Sequence, residues 1–171
     1  SSAGDFNGDG FDDFLVGARS ADPDGKESAG ETYLVFGAAG GFPATLDLST
    51  LDGTNGFVLN GIDSGDAAGH AVSAAGDVNG DGFHDLLIGA ILADPGGNPL
   101  AGEAYLVFGA SGGFAPSLDL ADLDGTNGVV FTGFYSQVFS GNSIIDARDG
   151  NGDGFDNHLI RATLANPDDN T

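Results

Sequence analysis

The segment "DFNGDGFDD" at residues 5–13 decides how the rest of the chain is interpreted. It places four aspartates and one asparagine within nine positions, with glycines at 8 and 10. Carboxylates at such short spacing repel one another. The pattern recurs as "DVNGDGFHD" at 77–85 and as "DGNGDGFDN" at 149–157, each time 72 residues further along the chain. The segment therefore belongs to a long repeat and is not an isolated polar turn.

The sequence around the acidic segment repeats with it. "FLVGARSADPDG" at 14–25 corresponds to "LLIGAILADPGG" at 86–97, and "ETYLVFGAAGGF" at 31–42 corresponds to "EAYLVFGASGGF" at 103–114. A repeat of this length is typical of a solenoid, a propeller or an array. We predict three units, with residues 1–61 as a first unit, 62–133 as a complete second unit and 134–171 as a partial, degenerate third unit.

The pattern within a unit favours β-structure. Short apolar runs bounded by Gly, Pro, Asp and Asn predict strands, and 31 glycines disfavour helices. In the second unit we expect four strands, near 70–75, 86–90, 103–108 and 129–132. A single four-stranded sheet buries too little apolar surface to be stable alone, so the units must stack on one another.

The predicted fold is all-β, with tandem four-stranded antiparallel blades of a β-propeller. A linear β-solenoid is the alternative, but its units are usually shorter. The three units supply about two and a quarter blades, which makes an incomplete ring. We expect the first unit to lack its first strand, because Ser1–Gly4 is too short to form it.

Each acidic segment has the spacing of a cation-binding loop, and we number its positions 1 to 9. Side-chain oxygens stand at positions 1, 3, 5 and 9, position 6 is glycine, and position 7 is placed to offer its backbone carbonyl. Calcium takes six to eight hard oxygen ligands, and alternate residues of a tight loop can converge on one ion. The predicted ligands are Asp5, Asn7, Asp9, Phe11 and Asp13 in loop 1; Asp77, Asn79, Asp81, Phe83 and Asp85 in loop 2; and Asp149, Asn151, Asp153, Phe155 and Asn157 in loop 3.

The three loops are not expected to bind calcium equally. Loop 3 carries Asn157 where the other loops carry an aspartate, so one carboxylate is lost and the site should be weaker. The loops are not EF-hands, because that motif needs a glutamate at position 12 and a following helix. Position 12 is apolar here, as at Val16 and Ile88. The remaining alternative is a solvated turn that binds no ion.

The combined motifs resemble the FG-GAP repeat. The acidic loop is followed by "GA" at 17–18 and 89–90, and the next apolar run ends in "FG" at 36–37 and 108–109. The "GAP" element is only half present, because its proline is displaced to 23 and 95. The resemblance implies a propeller like that of integrin α subunits, also found in bacterial secreted proteins. It further implies an extracellular module that calcium makes rigid.

Composition excludes several classes of partner. Four basic residues against 26 acidic ones give a net charge of −22, which argues against nucleic acid. No apolar run approaches 18 residues, so no membrane insertion is expected. The absence of cysteine excludes a disulfide framework, but it does not indicate the compartment, because calcium can stabilise an extracellular protein in place of disulfides. A polar partner should be basic or joined through divalent cations.

The expected function is a non-enzymatic, calcium-binding adhesion or protein-binding module, secreted or on the cell surface. "GASGG" at 109–113 matches a nucleophile elbow, but no helical sequence follows it and the first unit has alanine at the serine position. Two alternatives stay open. The chain could be a scaffold subunit that forms homo-oligomers or assembles with further blades, or it could be the accessory propeller or lectin part of a larger secreted enzyme. The sequence does not identify the protein or glycan partner.

Overall fold

The computed structural model describes residues 1–163, with the backbone alone at 146–148. These residues form eleven β-strands and four short 3-10 turns, and no α-helix is present among them. None of the helical turns in the described part is long and apolar enough to cross a membrane. The strands are β1 (Ser2–Gly4), β2 (Asp13–Ala18), β3 (Glu31–Val35), β4 (Gly56–Asn60), β5 (Ala68–Gly76), β6 (Asp85–Ala90), β7 (Glu103–Val107), β8 (Ser117–Asp119), β9 (Gly128–Thr132), β10 (Ser143–Arg148) and β11 (Asn157–Arg161).

Two four-stranded antiparallel blades form the body of the chain. The first blade has the order β1-β2-β3-β4, and the second has the order β5-β6-β7-β9. Their registers repeat with the sequence, because Phe14 pairs with Val35 in the first blade as Leu86 pairs with Val107 in the second. The prediction of an all-β chain built from four-stranded antiparallel blades is confirmed. Within the described residues these blades do not close a ring.

The first blade differs from the prediction at both of its edges. The first unit does contain a first strand, since Ser2 and Gly4 of β1 pair with the start of β2. The prediction that this strand is missing was wrong, because three residues suffice when an existing strand offers free hydrogen-bonding groups. At the other edge, β8 of the second unit adds to β4 in parallel, with Leu118 opposite Leu59.

The third unit contributes one hairpin to the described structure. Strands β10 and β11 pair antiparallel, with Ile145 opposite Leu159 and a register shift between 146 and 148. Loop 3 connects the two strands, just as loop 2 connects β5 and β6. The predicted third unit extends to 171, so its last residues lie outside the described part of the chain.

A cluster of phenylalanines joins the first blade to the second. The ring of Phe114, on the segment that leads into β8, stacks on Phe57 with a centroid distance of 5.2 Å and an interplanar angle of 15°. Its centroid lies 5.4 Å from those of both Phe6 and Phe36. Phe6 and Phe57 are almost fully buried. The second blade thus inserts an aromatic side chain into the core of the first.

Glycine is required where the blades touch through their backbones. A Cβ atom at Gly17 would lie 2.2 Å from the carbonyl oxygen of Gly69, and one at Gly89 would lie 2.1 Å from that of Gly141. No side chain can occupy such a space. These are the glycines of the two "GA" pairs, so the repeated motif marks where each blade meets the next unit, at Gly69 in β5 and at Gly141 just before β10.

We predict that Phe114→Ala destabilises the protein much more than Phe42→Ala, although the two residues are equivalent in the repeat. Phe114 fills the socket made by the first blade, whereas Phe42 is 48% exposed and contacts Phe14 edge-on. Losing a partly buried phenylalanine and leaving a cavity should cost about 2–3 kcal/mol. Loss of the exposed ring should cost less than about 1 kcal/mol. Urea denaturation of both variants measures the difference, and equal losses would contradict the inserted-ring account.

Candidate metal-binding loops

Each acidic loop lies between the first and second strands of its unit. Loop 1 joins β1 to β2, loop 2 joins β5 to β6, and loop 3 joins β10 to β11. Positions 4 and 6 of every loop are glycines with positive φ, such as Gly80 at 77° and Gly82 at 92°. This left-handed backbone is strained for other residues, so the glycines make the tight turn possible.

In loop 2 the side chains of three predicted ligands accept hydrogen bonds from the backbone N–H groups of the turn. Asp77 accepts hydrogen bonds from the backbone N–H groups of Gly80, Asp81 and Gly82 at 2.7–3.1 Å. Asn79 accepts from Asp81 N at 3.0 Å, and Asp81 accepts from Phe83 N at 2.9 Å. Positions 1, 3 and 5 are therefore brought together on one small turn.

Loops 1 and 3 share this arrangement. Asp5 accepts from Asp9 N and Gly10 N at 3.0 Å, and Asn7 accepts from Asp9 N at 2.9 Å. In loop 3 the backbone amides of 152, 153 and 154 donate to the carboxylate of Asp149. The side chains at positions 1, 3 and 5 thus accept hydrogen bonds from the backbone of their own loop in every copy, as expected from the strict spacing in the sequence.

Position 9 has a role that the sequence did not reveal. Asp85 is fully buried, and its two carboxylate oxygens accept from Val78 N and Gly109 N, each at 2.9 Å. Asp13 repeats this contact, accepting from Phe6 N at 3.0 Å and Gly37 N at 2.8 Å. The aspartate fastens its loop to the start of the second strand and to the residue that follows the "F" of the "FG" pair.

Burial makes the negative charge at position 9 costly. Burial raises the pKa of Asp85 to about 6, although its two backbone hydrogen bonds act in the opposite direction and the nearby Asp81 and Asp77 carboxylates add to the rise. Burial also raises the pKa of Asp13, against its bonds from Gly37 and Phe6. Loops 1 and 2 therefore each hold, at position 9, a carboxylate whose charge is made costly by burial and by its acidic neighbours.

Loop 3 lacks this buried carboxylate. Asn157 accepts from Gly150 N at 3.2 Å, and its amide nitrogen donates to the carbonyl of Phe155 at 3.4 Å. Asn157 is only half-buried, and positions 1 to 7 of the loop are exposed. The third loop is thus held less firmly to its strand than the other two.

The donor set of loops 1 and 2 fits a hard cation in its chemistry. The side chains supply only carboxylate and amide oxygens, which calcium prefers over nitrogen and sulfur ligands. Among residues 1–163, however, no three His, Cys, Asp or Glu side chains are assembled as a ready-made metal site. The carboxylates of Asp13 and Asp85 are bonded inward to backbone amides, although each bonded oxygen keeps a second lone pair. The predicted carbonyl ligands of Phe11, Phe83 and Phe155 stay a prediction.

A comparison with known protein families identifies the segments that contain loops 1 and 2. The FG-GAP repeat model matches residues 1–35 and 68–107, which contain loops 1 and 2 with the strands on either side. These two segments are FG-GAP repeats. The FG-GAP resemblance predicted from the sequence is confirmed.

Proteins that contain similar regions are mostly integrin α subunits. Integrin alpha-PS2 of Drosophila melanogaster is 34% identical over 110 residues, which is 62% of this chain and 7% of that protein. Integrin alpha-4 of Xenopus laevis is 30% identical over 164 residues, or 95% of this chain and 14% of that protein. A phosphatidylinositol-glycan-specific phospholipase D of Bos taurus is 33% identical over 112 residues, 66% of this chain and 13% of that protein. The chain thus spans only a small part of the length of these relatives.

A second group of acids, which the sequence did not reveal, surrounds Asp66 just before β5 in the second unit. Asp66 is 8% exposed, and burial raises its pKa to about 6, with further increases from the carboxylates of Asp63, Glu103 and Asp94. The buried hydroxyl of Tyr105 donates to Glu103 at 2.5 Å, and the pKa of Tyr105 is raised. Most of these residues are far apart in sequence, so no local motif predicts that they come together.

We predict that Asp85→Ala destabilises the calcium-free protein by about 3 kcal/mol, because two backbone N–H groups lose a charged acceptor. Asp81→Ala in the same calcium-free buffer should cost less than about 1 kcal/mol, because Asp81 is exposed and bonds only within its loop. Thermal melts in the presence of chelator measure both changes. Similar losses in the two variants would show that position 9 is not an anchor.

We predict that Asp66 makes stability fall between pH 4 and pH 6. Its pKa is 3.8 ordinarily and about 6 in the folded protein, so in this window the unfolded chain releases a proton that the folded chain retains. Asp66→Asn should therefore match the wild type below pH 3.8 and exceed its free energy of unfolding by about 1–3 kcal/mol above pH 6. Urea denaturation across this range tests the difference, with the exposed Asp122→Asn as control. A difference that does not vary with pH would contradict the assignment.

Proposed function

We propose that this chain is a calcium-binding, non-enzymatic extracellular module that serves adhesion or protein binding. The observation that carries the proposal is the recurrence of the same oxygen-rich loop, with the same internal hydrogen bonds, in two FG-GAP units. The similarity to integrin α subunits supports the adhesion part of the proposal.

Loops 1 and 2 would each hold one calcium ion. The ligands in loop 2 would be Asp77, Asn79, Asp81, the carbonyl of Phe83 and a free lone pair of Asp85; the equivalent residues of loop 1 are Asp5, Asn7, Asp9, Phe11 and Asp13. A bound divalent cation would supply positive charge where each loop concentrates carboxylates. The raised pKa values of Asp13 and Asp85 support a need for such charge. Loop 3, with Asn157 at position 9, would bind calcium more weakly.

The ion would act through the folded state. Ligands that bind the folded chain better than the unfolded chain add stability by mass action. The loops connect strands of the blades, so an ion that fixes a loop also fixes the ends of the strands it joins. Extracellular modules commonly bind calcium in the range of about 10⁻⁴–10⁻³ M, and we expect an affinity in this range. The similarity to integrin α subunits supports the proposed secreted or cell-surface location.

The partner would be a protein or a glycan. The net charge of −22 favours a basic surface or one that is bridged by divalent cations. A second candidate function is an accessory propeller of a larger enzyme, which the similarity to the phospholipase D favours. Finding a catalytic domain in the same polypeptide would support the second candidate over the first.

We expect calcium to raise the melting temperature and chelation to lower it. With two sites of the expected affinity, 10 mM calcium should add about 1.4–2.7 kcal/mol per site. For a domain of this size the two sites together should raise the melting temperature by about 6–20 °C. Differential scanning calorimetry in calcium and in EDTA measures it.

The variant Asp81→Ala should lose about half of that calcium-dependent rise while melting nearly as the wild type does in EDTA. The matched control is Asp122→Asn, which removes an exposed acid outside the loops and should keep the full rise. Identical melts of the wild type in calcium and in EDTA would refute the calcium proposal.

A further inference from the structure

We propose that position 8 of loops 2 and 3 couples each of these loops to the one before it, so that calcium binding at neighbouring loops is cooperative. The residue at this position in loop 2 is His84, and in loop 3 it is Asp156. This inference rests on the calcium binding proposed above. It assigns a positioning role to residues that are not themselves among the predicted ligands.

We call the contact between two successive acidic loops a seam. The first seam, between loop 2 and loop 1, consists of two reciprocal hydrogen bonds. The backbone N–H of His84 donates to the carbonyl of Asp5 at 3.1 Å. The backbone N–H of Asp5 donates in return to Nδ1 of His84 at 3.3 Å. Asp5 is position 1 of loop 1, the first of its predicted calcium ligands.

The second seam repeats this pairing with a different side chain. The backbone N–H of Asp156 donates to the carbonyl of Asp77 at 3.2 Å, and the N–H of Asp77 donates to Oδ2 of Asp156 at 3.2 Å. Asp77 is position 1 of loop 2. Recurrence with an aspartate in place of a histidine shows that the requirement is a hydrogen-bond acceptor and not a particular residue.

Glycines in the preceding loop region make room for this contact. A Cβ atom at Gly4 would lie 1.6 Å from Nδ1 of His84, and one at Gly76 would lie 1.9 Å from Oδ2 of Asp156. The neighbouring ring at position 7 also contacts the preceding loop, since a Cβ atom at Gly8 would lie 2.4 Å from Phe83. The loops are therefore stacked directly on one another.

Position 8 lies between two predicted ligands of its own loop. In loop 2 it is flanked by the carbonyl of Phe83 and by the buried carboxylate of Asp85. An ion that orders positions 7 to 9 of loop 2 would also fix His84 against Asp5. Because Asp5 is a ligand of loop 1, ordering one loop reduces the conformational freedom that its neighbour must lose on binding. Positive cooperativity follows.

The test is a calcium titration of the full chain followed by ¹⁵N NMR. The amides of Gly10 and Gly82, at position 6 of loops 1 and 2, report each loop separately. With His84 unchanged, Asp81→Ala should raise the calcium midpoint measured at Gly10 by about five-fold relative to the wild type. This factor lies at the lower end of typical couplings between sites. Introducing Asp81→Ala together with His84→Leu, which cannot accept a hydrogen bond, should give no rise beyond that of His84→Leu alone.

Two matched variants separate coupling from simple packing. His84→Asn keeps an acceptor, as in the second seam, and should retain the five-fold effect. Asp12→Leu changes position 8 of loop 1, which no acidic loop of the described residues precedes, and should also retain it. By linkage, Asp9→Ala should raise the midpoint at Gly82 by the same factor, a measurement that requires no change at His84.

The outcomes distinguish this inference from the function on which it rests. If calcium shifts neither amide in the wild type, the calcium proposal fails and the coupling fails with it. If both amides respond to calcium but Asp81→Ala leaves the calcium midpoint at Gly10 unchanged, only the coupling is overturned. The same holds if the effect of Asp81→Ala persists in His84→Leu, or if Asp9→Ala leaves the Gly82 midpoint unchanged.

Discussion

A buried aspartate at the start of the second strand holds each complete blade to its acidic loop. In the second blade, the carboxylate of Asp85 accepts hydrogen bonds from the backbone N–H of Val78 in the loop and from that of Gly109 after the third strand. One side chain thereby joins three segments, the furthest of them 24 residues away in sequence. The fold places a carboxylate in the interior, where its charge is costly. The loop above it adds further carboxylates, so the structural anchor and the proposed need for a cation have the same origin.

The contacts between blades depend on the absence of side chains as much as on their presence. Gly17 lies against the carbonyl of Gly69 in β5, and Gly89 lies against that of Gly141 just before β10, where no Cβ atom would fit. Gly109 likewise lies where a Cβ atom would be 2.4 Å from the carbonyl oxygen of His84. The glycines of the "GA" and "FG" pairs are thus explained by close packing of the backbone. The Phe114 ring then fills the apolar space that remains between the two blades.

The sequence predicted those features that repeat locally. Strands β5, β6, β7 and β9 were expected near the residues where they occur, because apolar runs and turn residues define them without tertiary information. The turn residues and spacing of each loop likewise indicated that Asp77, Asn79 and Asp81 come together, which their hydrogen bonds show. Both signals operate over a few residues.

Features that depend on distant partners were not predictable in this way. Strand β8 forms because β4 offers a free edge, although its own three residues carry no strand pattern. The equivalence of Phe42 and Phe114 hides their different surroundings, since only Phe114 has a preceding blade to enter among the described residues. The two seams between loops differ in a similar way: His84 offers an uncharged acceptor to Asp5, whereas Asp156 brings a carboxylate to Asp77. Under the proposed function, a cation in loop 2 would offset that added charge, so the second seam gains more from calcium than the first. The joint between the two full blades is then the one that depends least on the ion.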